Sequence, residues 1–394
     1  MTEMVVLPPL KARRGAGGGY VLTRKYMQGV AQFAETWPGR VTSLVAFSKT
    51  PGTDMDHQEF APAHPRTPIE TRPDTTAGLQ ARLRDAALVV TFLSSSEAPL
   101  VPLCRKIGVP LVFWAEYSPR TEMQILQAQT ANPLRRWRGQ RWLNTATSVR
   151  RRMVAQSAGL QCSGQPVHDA YAGDSPNAMV FWDSRVRSAE VMDDAGLTER
   201  AATLKAGAPL RLAFGGRLIG MKGVSFLPDL ADKLRERQVP FSLDIYGAGP
   251  LETDLKRQIA ALGLGDQVVL RGALDFRTEW LPTLKRAVDL FICPHPQGDP
   301  SSTYPETMSC GLPTLGFENE AFATISAASG SGWTVPIGDT AALARNVAAL
   351  HADRDQIIFH ARRARDFASQ HSFEKTKERR VAHFLSVSKL VQQV

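Results

Sequence analysis

The sequence has little cysteine, no long apolar run and, across one extended stretch, no acid at all. Its four cysteines, Cys104, Cys162, Cys293 and Cys310, are widely scattered and form no Cys-x-x-Cys pair. That spacing indicates neither a zinc site nor a disulfide framework, and a reducing cytoplasm is the expected compartment. The longest apolar runs, 88–93 and 109–115, fall well short of the ~20 residues a membrane-spanning helix needs. The apolar 4–10 is short, contains Pro8 and Pro9 and follows Glu3 rather than a basic region, so it reads as a first strand and not as a signal peptide. No repeat, low-complexity tract or metal-ligand cluster is present, and no metal cofactor is expected. With 43% apolar residues in 394, the chain is too hydrophobic for disorder and long enough for about two or three domains.

Charge is present in excess and unevenly placed. The chain carries 47 Lys and Arg against 38 Asp and Glu, a net +9. Residues 1–190 hold 23 basic and 15 acidic side chains, whereas 191–394 hold 24 and 23. Within the basic half, 123–168 contains seven arginines and no acid, so this segment must meet an anion or remain solvated.

Short apolar runs alternate with helical stretches throughout, the pattern of parallel sheets covered by helices. Strands are expected at 4–7, 41–47, 88–92, 111–113, 160–162 and 178–181, and again at 210–214, 241–246, 267–271, 290–293, 314–317 and 333–335. The apolar-poor 186–208 between the two sets reads as a linker with a helical turn. The fold class is thus α/β, with two doubly wound domains, 1–185 and 209–371, whose strand carboxyl ends are expected to face a shared cleft. After His371, Val381, Phe384, Leu385, Val387 and Leu390 recur at helical spacing, so 372–394 reads as an amphipathic closing helix.

Three blocks of the second domain can carry chemistry. In FGGRLIGMKG, 214–223, a buried strand runs into glycines, Arg217 and Lys222. Glycines expose main-chain N–H groups, and two cations suit a diphosphate; an ordinary turn with solvated cations is the plain alternative. In IYGAGP, 245–250, Tyr246, Gly247 and Gly249 form a loop that either accepts a nucleotide or is a tight strand-to-helix turn. In PHPQGDPSSTYPETMSCGLP, 294–313, Ser301, Ser302 and Thr303 offer donors at a helix start, a natural seat for phosphate. Glu306, one turn on, can accept from both hydroxyls of a ribose, or close a capping box with Ser302 or Thr303.

In this order and spacing, the three blocks resemble the C-terminal half of the retaining nucleotide-sugar glycosyltransferases of the GT-B fold, the glycogen-synthase and mannosyltransferase-like family. The resemblance implies that Gly216, Arg217 and Lys222 hold the nucleotide diphosphate and Glu306 the ribose. The family usually has a second glutamate eight positions earlier, on the donor sugar. Here Gly298 stands there, and either Asp299 beside it substitutes as the carboxylate or the amides of Ser301 and Ser302 do that work. In the first half, GAGGGY, 15–20, resembles the family's first loop, so Gly18 and Gly19 are expected at the donor phosphate and acceptor; without the resemblance it is a flexible loop. Glu116 stands where many members carry a histidine near the reacting sugar and is the leading catalytic carboxylate of the first domain, with Glu97 of the same kind. The family's last helix crosses back to the first domain, which is expected of 372–394.

The resemblance implies transfer of a hexose from a nucleotide diphosphate sugar to a hydroxyl of a glycolipid or polysaccharide precursor, with retained configuration and without a metal. Other chemistry of the same fold, an inverting transfer or a sugar-nucleotide epimerisation, remains the alternative. The arginine-rich 132–156 interleaves Arg135, Arg136, Arg138 and Arg141 with Trp137 and Trp142, the composition of a helix on an anionic lipid surface or beside a lipid-linked acceptor. A solvated basic face with both tryptophans turned inward is the alternative. A non-enzymatic basic surface-binding protein stays open as a further class, although the evenly charged second half speaks against a nucleic-acid partner. Peripheral attachment at the inner face of the membrane is expected.

Overall fold

Parallel strands buried on both faces need near-continuous apolar sequence, and the apolar runs are strands in the computed structural model, which describes residues 2–48 and 57–389. The chain divides into two units, Met1–Phe181 with Glu374–Val394, and Trp182–Phe373.

The first unit contains β1 (Glu3–Leu7), β2 (Lys11–Arg14), β3 (Tyr20–Thr23), β4 (Arg40–Phe47), β5 (His57–Phe60), β6 (Ile69–Thr71), β7 (Leu88–Phe92), β8 (Leu111–Ala115), β9 (Gly159–Ser163) and β10 (Ala178–Phe181). Its sheet runs β10-β9-β8-β7-β1-β4-β2-β3-β5, with β6 also on β4. The expected strands all pair in parallel, and the unexpected β6 and β2 each add a parallel pair on β4. The added β2, β3 and β5 meet through antiparallel pairs, and the outermost, β5, with the sequence HQEF, is short and polar because it forms the sheet edge. Among the parallel strands the direction of winding reverses between β1 and β7.

The helix Phe373–Val387 packs in this unit, its Val381, Phe384 and Val387 buried. Phe384 meets Phe33 edge-on at 5.6 Å, and Arg380 donates to Gln161 at 2.6 Å and lies 4.0 Å from the Phe181 ring. Leu390 lies outside the described residues.

The second unit contains β11 (Leu210–Gly215), β12 (Phe241–Tyr246), β13 (Val268–Gly272), β14 (Leu290–Cys293), β15 (Thr314–Phe317) and β16 (Trp333–Val335), all parallel, in the order β13-β12-β11-β14-β15-β16. This is the doubly wound order that reverses between its first and fourth strands, where such sheets bind ligands. The core packs Leu212, Phe214, Leu243 and Ile245 against Leu230, Leu234, Leu343 and Val347 of the covering helices.

Residues 186–208 are not a linker. The helix Asp194–Lys205, capped by Asp193, belongs to the second unit, with Leu204 at 1% exposure and Arg200 at 4%. The Arg200 guanidinium donates to the carbonyls of Val288, Leu284, Lys285 and Cys310 at 2.8–3.1 Å. Burial here is carried partly by an arginine, which an apolar count misses.

Candidate functional site

In the second unit two loops leave the carboxyl ends of β11 and β14, the strands on either side of the reversal. Gly223 allows their contact: it adopts φ 67°, and a Cβ there would lie 1.7 Å from the Pro294 carbonyl oxygen. Lys222 is therefore driven inward to 9% exposure, where its Nζ pairs with the Asp299 carboxylate, itself 8% exposed. Ser301 Oγ stands 3.4 Å from the same Nζ. A buried ammonium requires such an anion. Asp299, expected at the donor sugar, is instead the partner that fixes Lys222.

Behind this pair is His295, 1% exposed. Burial, then the charge of Lys222, hold its imidazole well below the ordinary histidine range, so it is neutral. Tyr304, whose phenol burial keeps protonated, shares a hydrogen bond of 3.3 Å with His295 Nδ1. Asn319 Nδ2 donates to the His295 carbonyl at 3.1 Å. The β14 loop is thus anchored from beneath by neutral hydrogen bonds.

Glu306 lies in the helix Thr303–Ser309 at 2% exposure. Ser302 makes no side-chain cap bond, so the capping-box alternative fails. The carboxylate instead accepts from Arg185, Nε to Oε1 at 2.8 Å and Nη2 to Oε2 at 3.3 Å, and Arg185 Cζ lies 3.9 Å from the Phe276 ring centroid. Sequence reading missed Arg185, which precedes the supposed linker. The available signal was the buried carboxylate itself, since such a group needs a cation or several donors.

Other expected donor residues are placed differently. Gly216 N–H donates to the Tyr246 carbonyl at 3.1 Å and Leu218 N–H to that of Ala248 at 3.0 Å, so the Gly216 amide is already satisfied. Gly247 and Gly249 serve this loop-to-loop packing, because a Cβ on either would strike the backbone of Gly216 or Leu218. Tyr246 packs edge-on against Trp280 and donates to Asp244 at 3.3 Å; it is a packing residue. Among the donors at the helix start, Ser301 N–H is taken by the Asp299 carbonyl at 2.6 Å, and Thr303 N–H approaches Ser301 Oγ at 3.4 Å. Arg217 is exposed directly after β11 and makes no ion pair with the described residues.

In the first unit, the loop 15–19 is the turn of the β2–β3 hairpin and is not an open loop. The N–H groups of Gly17 and Gly19 donate to the Glu59 carboxylate at 3.3 and 2.8 Å. A Cβ on Gly15 or Gly19 would collide with that side chain. The anion held by these glycines is thus Glu59, and Gly18, at φ 81°, makes the turn. Glu116 is exposed immediately after β8. In the helix Pro133–Ala155, Arg150 is structural, 5% exposed and paired with Glu122. Arg136 donates to the Thr130 carbonyl at 2.9 Å. Arg135, Arg138 and Arg141 are exposed. So are Leu134 (65%), Trp137 (51%) and Trp142 (64%), which removes the alternative of inward tryptophans.

The family model described as Glycosyl transferases group 1 matches residues 209–353. WcaL of Escherichia coli strain K12, provisionally described as a colanic acid biosynthesis glycosyltransferase, is 28% identical over 174 residues, 42% of each chain. The amylovoran biosynthesis glycosyltransferase AmsK of Erwinia amylovora is 31% identical over 143 residues, 34% of each. The chain thus spans less than half the length of the curated relatives it matches. The structure of HepE from Anabaena, in complex with UDP, shares the fold with a TM-score of 0.67 at 14% identity, covering 98% of this chain and 100% of that one. The chain has the GT-B fold, and residues 209–353 of its second unit are similar to the group 1 glycosyl transferases.

Proposed function

We propose that the protein is a glycosyltransferase that moves a sugar from a nucleotide diphosphate donor to a hydroxyl of a polysaccharide or glycolipid precursor. The observation that carries this reading is the convergence of Lys222, Asp299 and Ser301 where the winding of the second sheet reverses. Glu306, in the segment after β14, is held by Arg185, in the segment before β11. Support also comes from the family match over this unit, from relatives named for colanic acid and amylovoran biosynthesis, and from a structural neighbour that binds UDP.

In this reading Lys222, held by Asp299, and the exposed Arg217 neutralise the leaving diphosphate, the task that a divalent ion performs elsewhere. Glu306, oriented by Arg185, accepts from the ribose hydroxyls. The bond from the anomeric carbon to the diphosphate oxygen breaks, and its electron pair leaves with the diphosphate. The acceptor oxygen bonds to the same face of the sugar, and its proton passes to the departing phosphate, so configuration is retained. The exposed Leu134, Trp137 and Trp142 among arginines seat the enzyme on an anionic membrane, where a lipid-linked acceptor resides.

The test is thermal denaturation with UDP, GDP and ADP, repeated on Lys222→Ala and Glu306→Ala. One nucleotide should raise the melting temperature of the native protein and neither variant should respond to it. A protein indifferent to all three would overturn the reading. With a productive donor and acceptor, turnover in EDTA should match turnover without it.

A further inference from the structure

We infer that His295 is a functional residue of the proposed donor site: when a nucleotide diphosphate binds, its imidazole takes a proton from solvent and replaces Lys222 as the cation beside Asp299. The inference rests on the donor reading given above, deepens it, and concerns the second unit alone. Its ground is charge balance. Lys222 Nζ pairs with Asp299 Oδ2, so the two together are neutral and offer no net charge to a diphosphate. Arg217, exposed after β11, brings one positive charge against the two negative charges of an esterified diphosphate. Lys222 can serve the incoming anion only if Asp299 gains another cation, because a buried carboxylate stripped of its partner is strongly destabilising. Among the described residues, the ion-pair partners of that carboxylate are Lys222 and, at 3.9 Å, His295. The imidazole Nδ1 faces Oδ2, the same oxygen that Lys222 holds.

The surroundings of His295 leave it as the group that answers. Lys222 reaches it from the loop after β11, Asp299 and Cys293 from β14 and its loop, and Tyr304 from the helix Thr303–Ser309. Burial pushes the Cys293 thiol up to about 12 and keeps the Tyr304 phenol protonated, so both are neutral. The neutral amide of Asn319 holds the His295 carbonyl from the other side. In the resting protein burial and the Lys222 charge keep the imidazole neutral. An arriving diphosphate offsets that charge and leaves the Asp299 carboxylate facing Nδ1, and an anion so placed favours imidazolium. The Tyr304 oxygen, 3.3 Å from Nδ1, is a second acceptor for the new N–H. A free imidazole takes its proton near pH ~6.5 and a free carboxyl near ~4, so the histidine responds closer to neutrality.

The experiment is titration calorimetry of the full chain with UDP-glucose, GDP-mannose and ADP-glucose, whose diphosphates are esterified at both ends and do not titrate near neutrality. At pH 7, in buffers of different ionisation enthalpy, binding should take up about half a proton or more per nucleotide. A group whose pKa is higher in the complex than in the free protein favours binding as pH falls. Affinity should therefore rise from pH 8 to 6, by up to about tenfold per unit, and His295→Gln should bind more weakly with no uptake and a flat profile. In parallel, 15N-histidine spectra of the parent, with these ligands and with UDP, GDP and ADP, should show one imidazole that is neutral in the free protein and doubly protonated in the complex. His295→Gln serves to assign it; should that variant not fold, the parent's uptake and spectra still decide. Binding without proton uptake, or uptake without an imidazolium signal, would overturn the role of His295 and leave the donor site standing. No heat with any sugar nucleotide, together with no melting shift from UDP, GDP or ADP, would overturn the donor reading and this inference with it.

Discussion

Lys222 is the residue on which both the stability and the proposed chemistry of the second unit turn. Its ammonium and the Asp299 carboxylate are each only 11% exposed, and removing one partner of a buried pair leaves an uncompensated charge, at a cost of about 3 kcal/mol. Asp299→Asn should therefore lower stability by roughly that amount in chemical denaturation, and a nucleotide should no longer raise its melting temperature. Replacing both partners, Lys222→Met with Asp299→Leu, should recover most of the stability but none of the binding. A double variant that binds nucleotide normally would separate Lys222 from the phosphate. His295 adds a pH dependence. Its pKa is depressed by burial and by Lys222, so the unfolded chain binds a proton that the folded chain refuses. That contribution is fully present above pH ~6.5 and is lost as pH falls further, towards the folded value. His351, His360 and His383 are depressed in the same sense, chiefly by burial, so His295→Gln should flatten the acid-side fall in melting temperature without abolishing it. An unchanged slope between pH 7 and 5 would show that His295 is not buried neutral.

Loops at strand ends, more than strands, set what could be read from sequence. The near-continuous apolar runs of β7 and β14 and the alternation of β12 left little choice, and these strands occur where the pattern puts them. The β2–β3 hairpin escaped because its strands are four residues each and partly charged. Glycines were legible as important but not in their role: Gly247 and Gly249 let backbone meet backbone, and Gly17 and Gly19 grip a carboxylate from a neighbouring strand. Arg185 and Arg200 were hidden for the same reason, since a cation inside a fold is recognised only by the acceptors around it. Two tests act at this scale. Gly223→Ala forces a left-handed φ of 67° on a residue whose Cβ would meet the Pro294 carbonyl, and should cost at least about 2 kcal/mol while uncoupling the two site loops. Stability within about 0.5 kcal/mol of the parent would mean the loops can part. Arg200→Ala strands the carbonyls of Val288, Leu284, Lys285 and Cys310 and should destabilise by about 3 kcal/mol in urea unfolding; a neutral outcome would make the helix Asp194–Lys205 dispensable to the core.

The basic excess of the whole molecule resides in its first half, and the structure shows which part of it is structural. Arg150 is buried against Glu122 and Arg151 pairs with Asp174, so these charges are locally neutralised. Arg135, Arg138 and Arg141 remain exposed, on the same stretch of helix as Leu134, Trp137 and Trp142. Positions 134, 137, 138, 141 and 142 follow the i, i+3, i+4, i+7, i+8 spacing of one helical face. Water alone gives no reason to expose three large apolar side chains so close together, whereas an anionic bilayer would take up the apolar tips and attract the cations between them. Each cation near such a surface contributes about 1 kcal/mol. Changing Arg135, Arg138 and Arg141 together to Gln should therefore weaken co-sedimentation with phosphatidylglycerol vesicles by roughly a hundredfold. Trp137→Ala with Trp142→Ala should weaken it as well, with a residual attraction that vanishes at high salt because only charge then remains. Since none of these side chains belongs to the proposed donor site, nucleotide binding in solution should be unchanged in both variants. Equal sedimentation of parent and variants, or none by the parent, would leave the exposed tryptophans without a membrane role.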